Sequence, residues 1–521
     1  MKIKHYLLSI NILIVLFLII FSNLGSLPFQ GGDFVFIILL VLALALYRPG
    51  WAFLILIGVL PLEVINLSPD FLPINLRPYQ LLAFAVSLSL FLRFFFKKLN
   101  FSLPKWHWID FLIIFLTASS FLSAFFSADK ALAFKMSLII ASFVLIYFLA
   151  RIYLQELNDL KRVVPFFLSS SLIVSFYGLW QNWQFMHGFN SFEVMPGRPN
   201  ATFSEADWLG IYLVLLISLI ASLVYFFLYK KTEETKKEIS NLKFQISKIF
   251  FLWTSSVVFF SLLILTVSRS AWLGVISGGL FFLFLALTNL RFNTKEWDLK
   301  LLGKLAIFLF FSVLISLTFI YFLQLTNFEL SNRLQSSSSG EQTITISCSQ
   351  DSSLPSQIEN VSELEQYGCR HINLEEIETE KTQGNYIKKI NRPDPNFNIR
   401  SQIYQKSWQE IKNHWFLGIG WGNIGRILGA DDRGASLNAS NIFLEIYLGS
   451  GLIGFLSFLI IWVYIFLKNI WKFFFARDVS HKTLALFMLV ALLGLTVANL
   501  FNSGIMLGFM WIFLSLALIK K

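Results

Sequence analysis

The sequence predicts an all-α polytopic membrane protein, with about 12–14 transmembrane helices and one large extracytoplasmic loop that contains an amphipathic helix. Three observations predict it. Of the 521 residues, 56% are hydrophobic and only 14% charged, against about a quarter charged in soluble domains. The apolar residues fall in runs of about 17–22, the length that crosses a hydrocarbon core of about 30 Å. Polar sequence, by contrast, is concentrated in one long stretch, 326–440.

Clear runs are Tyr6–Ser22, Trp51–Leu67, Ile249–Ser268 and Leu484–Leu500. Residues 1–325 read as a transmembrane bundle of about 11 helices, interrupted by a charged cytoplasmic connector at 230–248 (KKTEETKKEISNLKFQISK). Within the loop, 332–395 is rich in Ser, Gln, Glu and Asn and includes the run Ser336–Ser339. It reads as a variable insertion, partly disordered apart from a cysteine-closed piece. From 396 to 417, Ile399, Ile403, Trp408, Ile411 and Trp415 recur at spacings of three to five, the mark of an amphipathic helix that Gly418 stops. Residues 441–521 form the C-terminal transmembrane helices.

Lys and Arg in the short loops set the orientation. With the N-terminus inside, alternate loops hold Arg48, Lys97, Lys98, Arg151, Lys161, Arg162, Lys230, Lys248, Arg291, Lys300, Lys468, Arg477 and the tail Lys520–Lys521. The opposite short loops hold only Arg77, Lys130, Arg198 and Arg269. Both termini are therefore expected in the cytoplasm and the long loop outside. This asymmetry accounts for the +11 net charge, so no nucleic-acid binding is read into it. The first run begins with Lys and lacks a small-x-small cleavage site, so it reads as an anchor. The only two cysteines, Cys348 and Cys369, both fall in the outside loop, where the oxidising side suggests a disulfide; two free thiols are the alternative. No ATP or nucleotide sugar is available there. Chemistry in that loop must draw on an activated, lipid-carried substrate, or the protein is a transporter.

Two arginines stand out on the outside ends. Arg198 sits in GRPNATFSEADWLG and Arg269 in TVSRSAWLG. Arginine at a membrane end is usually a snorkelling anchor. These two, however, oppose the charge rule, and small neighbours let an anion approach a guanidinium fork suited to phosphate oxygens. The G-x-G-x-x-G pattern at Gly420, Gly422 and Gly425 is a weak nucleotide signal, because it follows a helix and not a strand. It reads as a tight glycine turn against the membrane.

Four segments in order, RPNATFSEADWLGIYL, TVSRSAWLGVISGG, RSQIYQKSWQEIKNHWFLGIGWGN and SNIFLEIYLGSGLIG, resemble the O-antigen ligase and O-antigen polymerase superfamily. The resemblance covers roughly Arg198 to Gly454. It implies a multi-pass protein of the bacterial inner membrane, serving lipopolysaccharide or other cell-envelope polysaccharide, that acts as a glycosyltransferase without cofactor, nucleotide or metal. The donor would be an undecaprenyl-diphosphate-linked glycan and the acceptor a glycan or membrane lipid-linked sugar. Arg198 and Arg269 would grip the donor diphosphate; in oxyanion-type sites one lost donor costs ~2.7–4 kcal/mol. One departure matters. Ligases of this kind show His-Asn at the start of the helix after the loop, whereas here Ser440 precedes Asn441, and a serine hydroxyl is no base near neutral pH without help.

The catalytic candidates are therefore Arg198, Arg269, Glu205, Asn441 and Glu445, with Arg400, Ser440 and Asp207 as substrate-binding candidates. Helix capping and first-turn charge compete for Glu205 and Asp207. Glu445 lies in an apolar helix, where a carboxylate is costly. His187 is a further possible base, and His414 reads as structural. For Arg400 a solvated surface role competes. Tyr404, Trp408, Trp415 and Trp421 either stack on sugars or sit at the lipid interface, the interface suiting most of them. The scattered histidines and the Asp431-Asp432 pair make no metal site. A solute (bicarbonate-type) transporter and a non-catalytic polysaccharide assembly factor are the competing functions.

Overall fold

Apolar runs fold as helices because a helix satisfies its own backbone where no water reaches. The computed structural model describes residues 2–72, 74–99, 101–195, 197–233, 240–288, 297–325, 341–350, 355, 357–359, 361–372, 377–393, 395–429 and 438–519. The middle of the connector, the Ser336–Ser339 run and Asp431-Asp432 lie outside the described residues. The chain divides into two units, Met1–Leu323 with Ser407–Lys521, and Gln324–Lys406.

The first unit holds α1 (Lys2–Asn23), α2 (Gly31–Tyr47), α3 (Pro49–Gly58), α4 (Pro78–Phe95), α5 (Trp108–Phe126), α6 (Lys130–Tyr153), α7 (Leu157–Met186) and α8 (Ala206–Glu233). It continues with α9 (Ser240–Leu265), α10 (Arg269–Thr288) and α11 (Leu299–Phe322). Eleven described helices are long and apolar enough to cross a membrane, and α2 and α3 are shorter apolar ones. The run Trp51–Leu67, expected to span, does not do so as a helix. α3 stops at Gly58, where the Asn11 side chain of α1 fills the place of a side chain. Beyond it the chain turns through Pro61, whose carbonyl accepts the Thr202 hydroxyl.

In the second unit, Gln324–Lys406, the described residues of the insertion expected to be partly disordered apart from its cysteine-closed piece form a small sheet. β1 (Glu341–Cys348) pairs antiparallel with β2 (Cys369–His371) and β3 (Tyr386–Pro393) in the order β2-β1-β3, and α12 (Ile377–Thr382) precedes β3. The alternation of Ile344, Ile346 and Cys348 places them in a small core with Ile358, Leu364 and Ile390. Cys348 and Cys369 are joined by a disulfide. Hydrogen bonds from Ser347, Arg370 and Asn385 hold the Glu380 carboxyl below its usual range.

α13 (Pro395–Asn413) follows, then the short α14 (Asn423–Leu428), α15 (Ile442–Phe475), α16 (Val479–Asn499) and α17 (Gly508–Leu516). On α13, Ile403 and Ile411 are buried and Trp408 is exposed; Trp415, two residues past its end, is exposed as well. α8, α10 and α16 approach closely through small residues: a side chain at Gly274 would meet the Gly494 carbonyl at 2.6 Å, and one at Gly210 the Ala271 methyl at 2.7 Å.

α15 is two helices meeting at a break. Gly451 there has φ 65° and ψ −167°. The break frees the Leu448 carbonyl, which accepts from Ile419 N–H (2.8 Å) and Gly420 N–H (3.2 Å), while Leu452 N–H donates to the Phe416 carbonyl (3.0 Å). The glycine-rich segment thus lies across the break like a short strand, with Gly418, Gly420 and Gly422 all at positive φ. Gly451→Ala puts a methyl against the Phe416 carbonyl at a left-handed φ. It is expected to destabilise the protein by about 2 kcal/mol or more, read as a lower midpoint in thermal unfolding. Gly279→Ala, which meets open space inside α10, is expected to leave that midpoint unchanged or raise it.

Candidate functional site

The RPNATF loop between α7 and α8 is fixed by its own polar atoms. Ala201 N–H donates to the Gln181 side-chain carbonyl (2.7 Å), and Val194 N–H donates to the Asn200 side chain (3.1 Å). Arg198 is three-point bonded. Its backbone N–H donates to the Met195 carbonyl (3.0 Å), its Nε to the Thr266 carbonyl (3.0 Å), and a terminal nitrogen to Asp207 Oδ1 (3.2 Å). Thr266 lies three residues before Arg269 in the turn from α9 to α10. The hydrogen bond therefore brings the two arginine-bearing segments together at one end of the bundle. α8 and α10 both start there, and their N-termini carry unsatisfied N–H groups and a positive dipole end. The Arg198 side chain thus lies beside the turn that leads into α10, whose first residue is Arg269.

Asp207 is first of all the ion-pair partner of Arg198 and a first-turn carboxylate of α8. Glu205 is exposed on the same loop, and its carbonyl accepts the Leu209 N–H at the start of α8 (3.2 Å). Asn441 caps α15: its side-chain oxygen accepts from Phe443 N–H (2.9 Å) and Leu444 N–H (3.3 Å), and its amide donates to the Leu500 carbonyl (3.2 Å). Glu445 reaches back to the Ala439 N–H (2.7 Å), and Ser440 donates its backbone N–H to the Asn438 side chain (2.8 Å). These three residues shape the entry to α15. His187 Nδ1 lies 2.8 Å from the Trp183 carbonyl, and His414 pairs with Glu410; both histidine side chains are exposed. Trp421 is fully buried and donates to the Ser120 hydroxyl (2.9 Å), so it is neither a sugar platform nor an interface anchor. Arg400 and Tyr404 lie on α13, in the unit Gln324–Lys406.

A buried ion pair that the sequence did not single out completes this end of the bundle. Glu63, 3% exposed, accepts from Tyr79 Oη (2.6 Å), from Arg77 (3.0 Å) and from Gly508 N–H at the start of α17 (2.9 Å). The Glu63 and Val64 N–H groups donate to the Thr202 carbonyl (3.0 and 2.9 Å). Burial raises the Glu63 carboxyl above its ordinary value, although Arg77, Tyr79 and the Gly508 N–H pull it down. Glu63 thus ties the Arg198 loop to the loop after α16, and Leu500 in that loop meets the cap of α15. The signal available in sequence was a lone Glu inside an apolar run.

Backbone strain gathers in the same segments. Ala201 (φ 48°), Val267 (φ 52°) and Ser440 (φ 47°) occupy the left-handed region, three of the six non-glycine residues that do so among those described. For a β-branched residue such as Val267 this is a genuine outlier, of the kind that clusters where function overrides local preference. Among the described residues no group of three or more His, Cys, Asp or Glu side chains is placed to hold a metal.

The O-antigen ligase family model matches residues 254–459, which take in Arg269, the break in α15 and the Asn441 cap, while Arg198 precedes the match. No curated protein matches the chain. For the cap itself, Asn441→Ala is expected to cost about 1 kcal/mol and Asn441→Asp much less. Thermal unfolding of the two variants beside the parent reads the difference.

Proposed function

We propose, from the match of the O-antigen ligase family model to residues 254–459, that the protein is an O-antigen ligase-like transferase, moving a glycan from an undecaprenyl-diphosphate carrier to a glycan or lipid-linked acceptor. The reaction takes place on the outer face of the inner membrane. That the protein is multi-pass rests on its eleven apolar helices; the outward placement of the Arg198 and Arg269 segments follows from the charge asymmetry of the loops.

One observation supports the proposal: the hydrogen bond from Arg198 to the Thr266 carbonyl, which brings the Arg198 loop beside the turn leading to Arg269 at the start of α10. The acceptor hydroxyl attacks the anomeric carbon, the bond from that carbon to the diphosphate oxygen breaks, and negative charge gathers on the departing diphosphate. Fixed cations at that point stabilise the transition state more than the ground state. Asp207 orients Arg198. Glu205, exposed on the same loop, is the carboxylate suited to take the acceptor proton. Ser440 stands where a ligase has its His, so proton removal does not fall to that position.

Broken and half-length helices are also features of solute transporters. The break in α15, the ten-residue α3 and the nine-residue α17 favour that second reading. Each break is nevertheless closed by backbone or ion-pair hydrogen bonds, which opposes a passage through it.

Arg269→Ala is expected to lower product formation about 10²–10³-fold with protein level unchanged. Reconstitution with a polyprenyl-diphosphate glycan, scoring free carrier released, checks this. Carrier release that continues undiminished in the variant rules the proposal out.

A further inference from the structure

The loop that joins α16 to α17, residues 500–507, runs from the cap of α15 to the start of α8. At its beginning the Leu500 carbonyl accepts the Asn441 amide (3.2 Å). Further on it lies against α8: a side chain at Gly504 would meet Ile211 at 3.4 Å, and just past the loop the Phe509 and Tyr212 rings have centroids 5.1 Å apart. Trp208 stands three and four residues before Ile211 and Tyr212, on the helix face that this segment covers. The residue before it, Asp207, holds Arg198 (3.2 Å). Polar side chains gather at this junction without a use inside the protein. Among the described residues, Ser503 Oγ and Trp208 Nε1 are both buried and have no hydrogen-bond partner. Asn502 is only 8% exposed and Ser503 4%, and the Asn502 amide also makes no hydrogen bond to a described residue. Asn499, three residues earlier, is by contrast fully used: its amide donates to the Leu495 carbonyl (2.8 Å) and its oxygen accepts the Gly504 N–H (2.6 Å).

A buried hydroxyl, amide or indole N–H that gives up water for nothing costs its full desolvation, and such an exception in a folded protein calls for an occupant. The set here is neutral: the indole only donates, while the hydroxyl and the amide both donate and accept. Phosphate favours charge-assisted bonds, which these groups do not offer. Adjacent sugar hydroxyls, each of them donor and acceptor, match them. Trp208 as a whole is only partly buried, which leaves part of its ring as apolar surface for the C–H face of a sugar. Among the described residues the backbone of Asn502 and Ser503 makes no hydrogen bond either, so this stretch can yield to a ligand that enters. We propose that Trp208, Asn502 and Ser503 form a carbohydrate subsite that bonds hydroxyl groups of the sugar next to the carrier diphosphate. The inference rests on the transfer reading above: with the diphosphate beside Arg198, the first sugar falls next to Asp207 and so at the start of α8.

The test measures binding to the purified full-length chain in detergent, with two probes: undecaprenyl diphosphate, and the same carrier bearing N-acetylglucosamine. The parent is expected to hold the sugar-bearing carrier about tenfold more tightly than the bare one. Asn502→Ala, Ser503→Ala and Trp208→Phe, which keeps the ring and loses the N–H, are each expected to weaken the sugar-bearing carrier by up to about tenfold and to leave the bare carrier unchanged. Arg269→Ala is expected to weaken both probes, which reads the diphosphate site separately. Ser503→Ala removes no hydrogen bond of the protein, so its thermal midpoint is expected to stay or rise; a lower midpoint places Oγ in a bond within the protein and overturns the assignment. Equal binding of the sugar-bearing carrier by the parent and the three variants, with Arg269→Ala still weakening both probes, overturns the subsite alone and leaves water as the partner of these atoms. Arg269→Ala without effect on the bare carrier overturns the transfer reading, and the subsite with it.

Discussion

A backbone N–H or C=O without a partner in hydrocarbon costs several kcal/mol, and this chain interrupts helices inside its bundle. Every interruption near the candidate site is closed from elsewhere. At Gly451 the closing strand is Phe416–Gly420. At the end of α3 it is the Thr202 carbonyl, which takes the Glu63 and Val64 N–H groups. At the start of α17 it is the Glu63 carboxylate, which takes the Gly508 N–H. One of these closing groups, the Thr202 carbonyl, belongs to the loop that carries Arg198, so closing the end of α3 also holds that loop in place.

The same constraint shapes the glycine-rich GIGWGN segment. Its glycines let it lie against α15 closely enough for Ile419 to reach the Leu448 carbonyl, and Trp421 is driven into the bundle against Gly449 and Ser120. Asn423 then exchanges hydrogen bonds with the Asp129 backbone at the start of α6 (3.0 and 3.2 Å). The segment clamps the half-helix that bears Asn441 and Glu445. The motif's value to the protein is positional.

Arg198 illustrates a related economy. A guanidinium has five N–H donors in a fixed fork. Nε and one terminal nitrogen are occupied by Thr266 and Asp207, with the other terminal nitrogen 3.7 Å from the Met195 sulfur. Those bonds fix the plane of the fork.

The sequence by itself determined the class of the protein, the location of its long helices and the two arginine segments. Run length against bilayer thickness, and charge that is costly to bury, are properties of contiguous residues. It also determined that 418–425 turns on glycines, since positive φ is a local demand. Only the tertiary structure decided that Trp51–Leu67 halts at Gly58, that Glu63 meets Arg77 and Gly508, that Ile419 pairs with Leu448, and that 341–393 builds a sheet. Those outcomes depend on partners many residues away in the chain. Each is an unsatisfied polar group or a close approach whose complement exists only once the helices have packed.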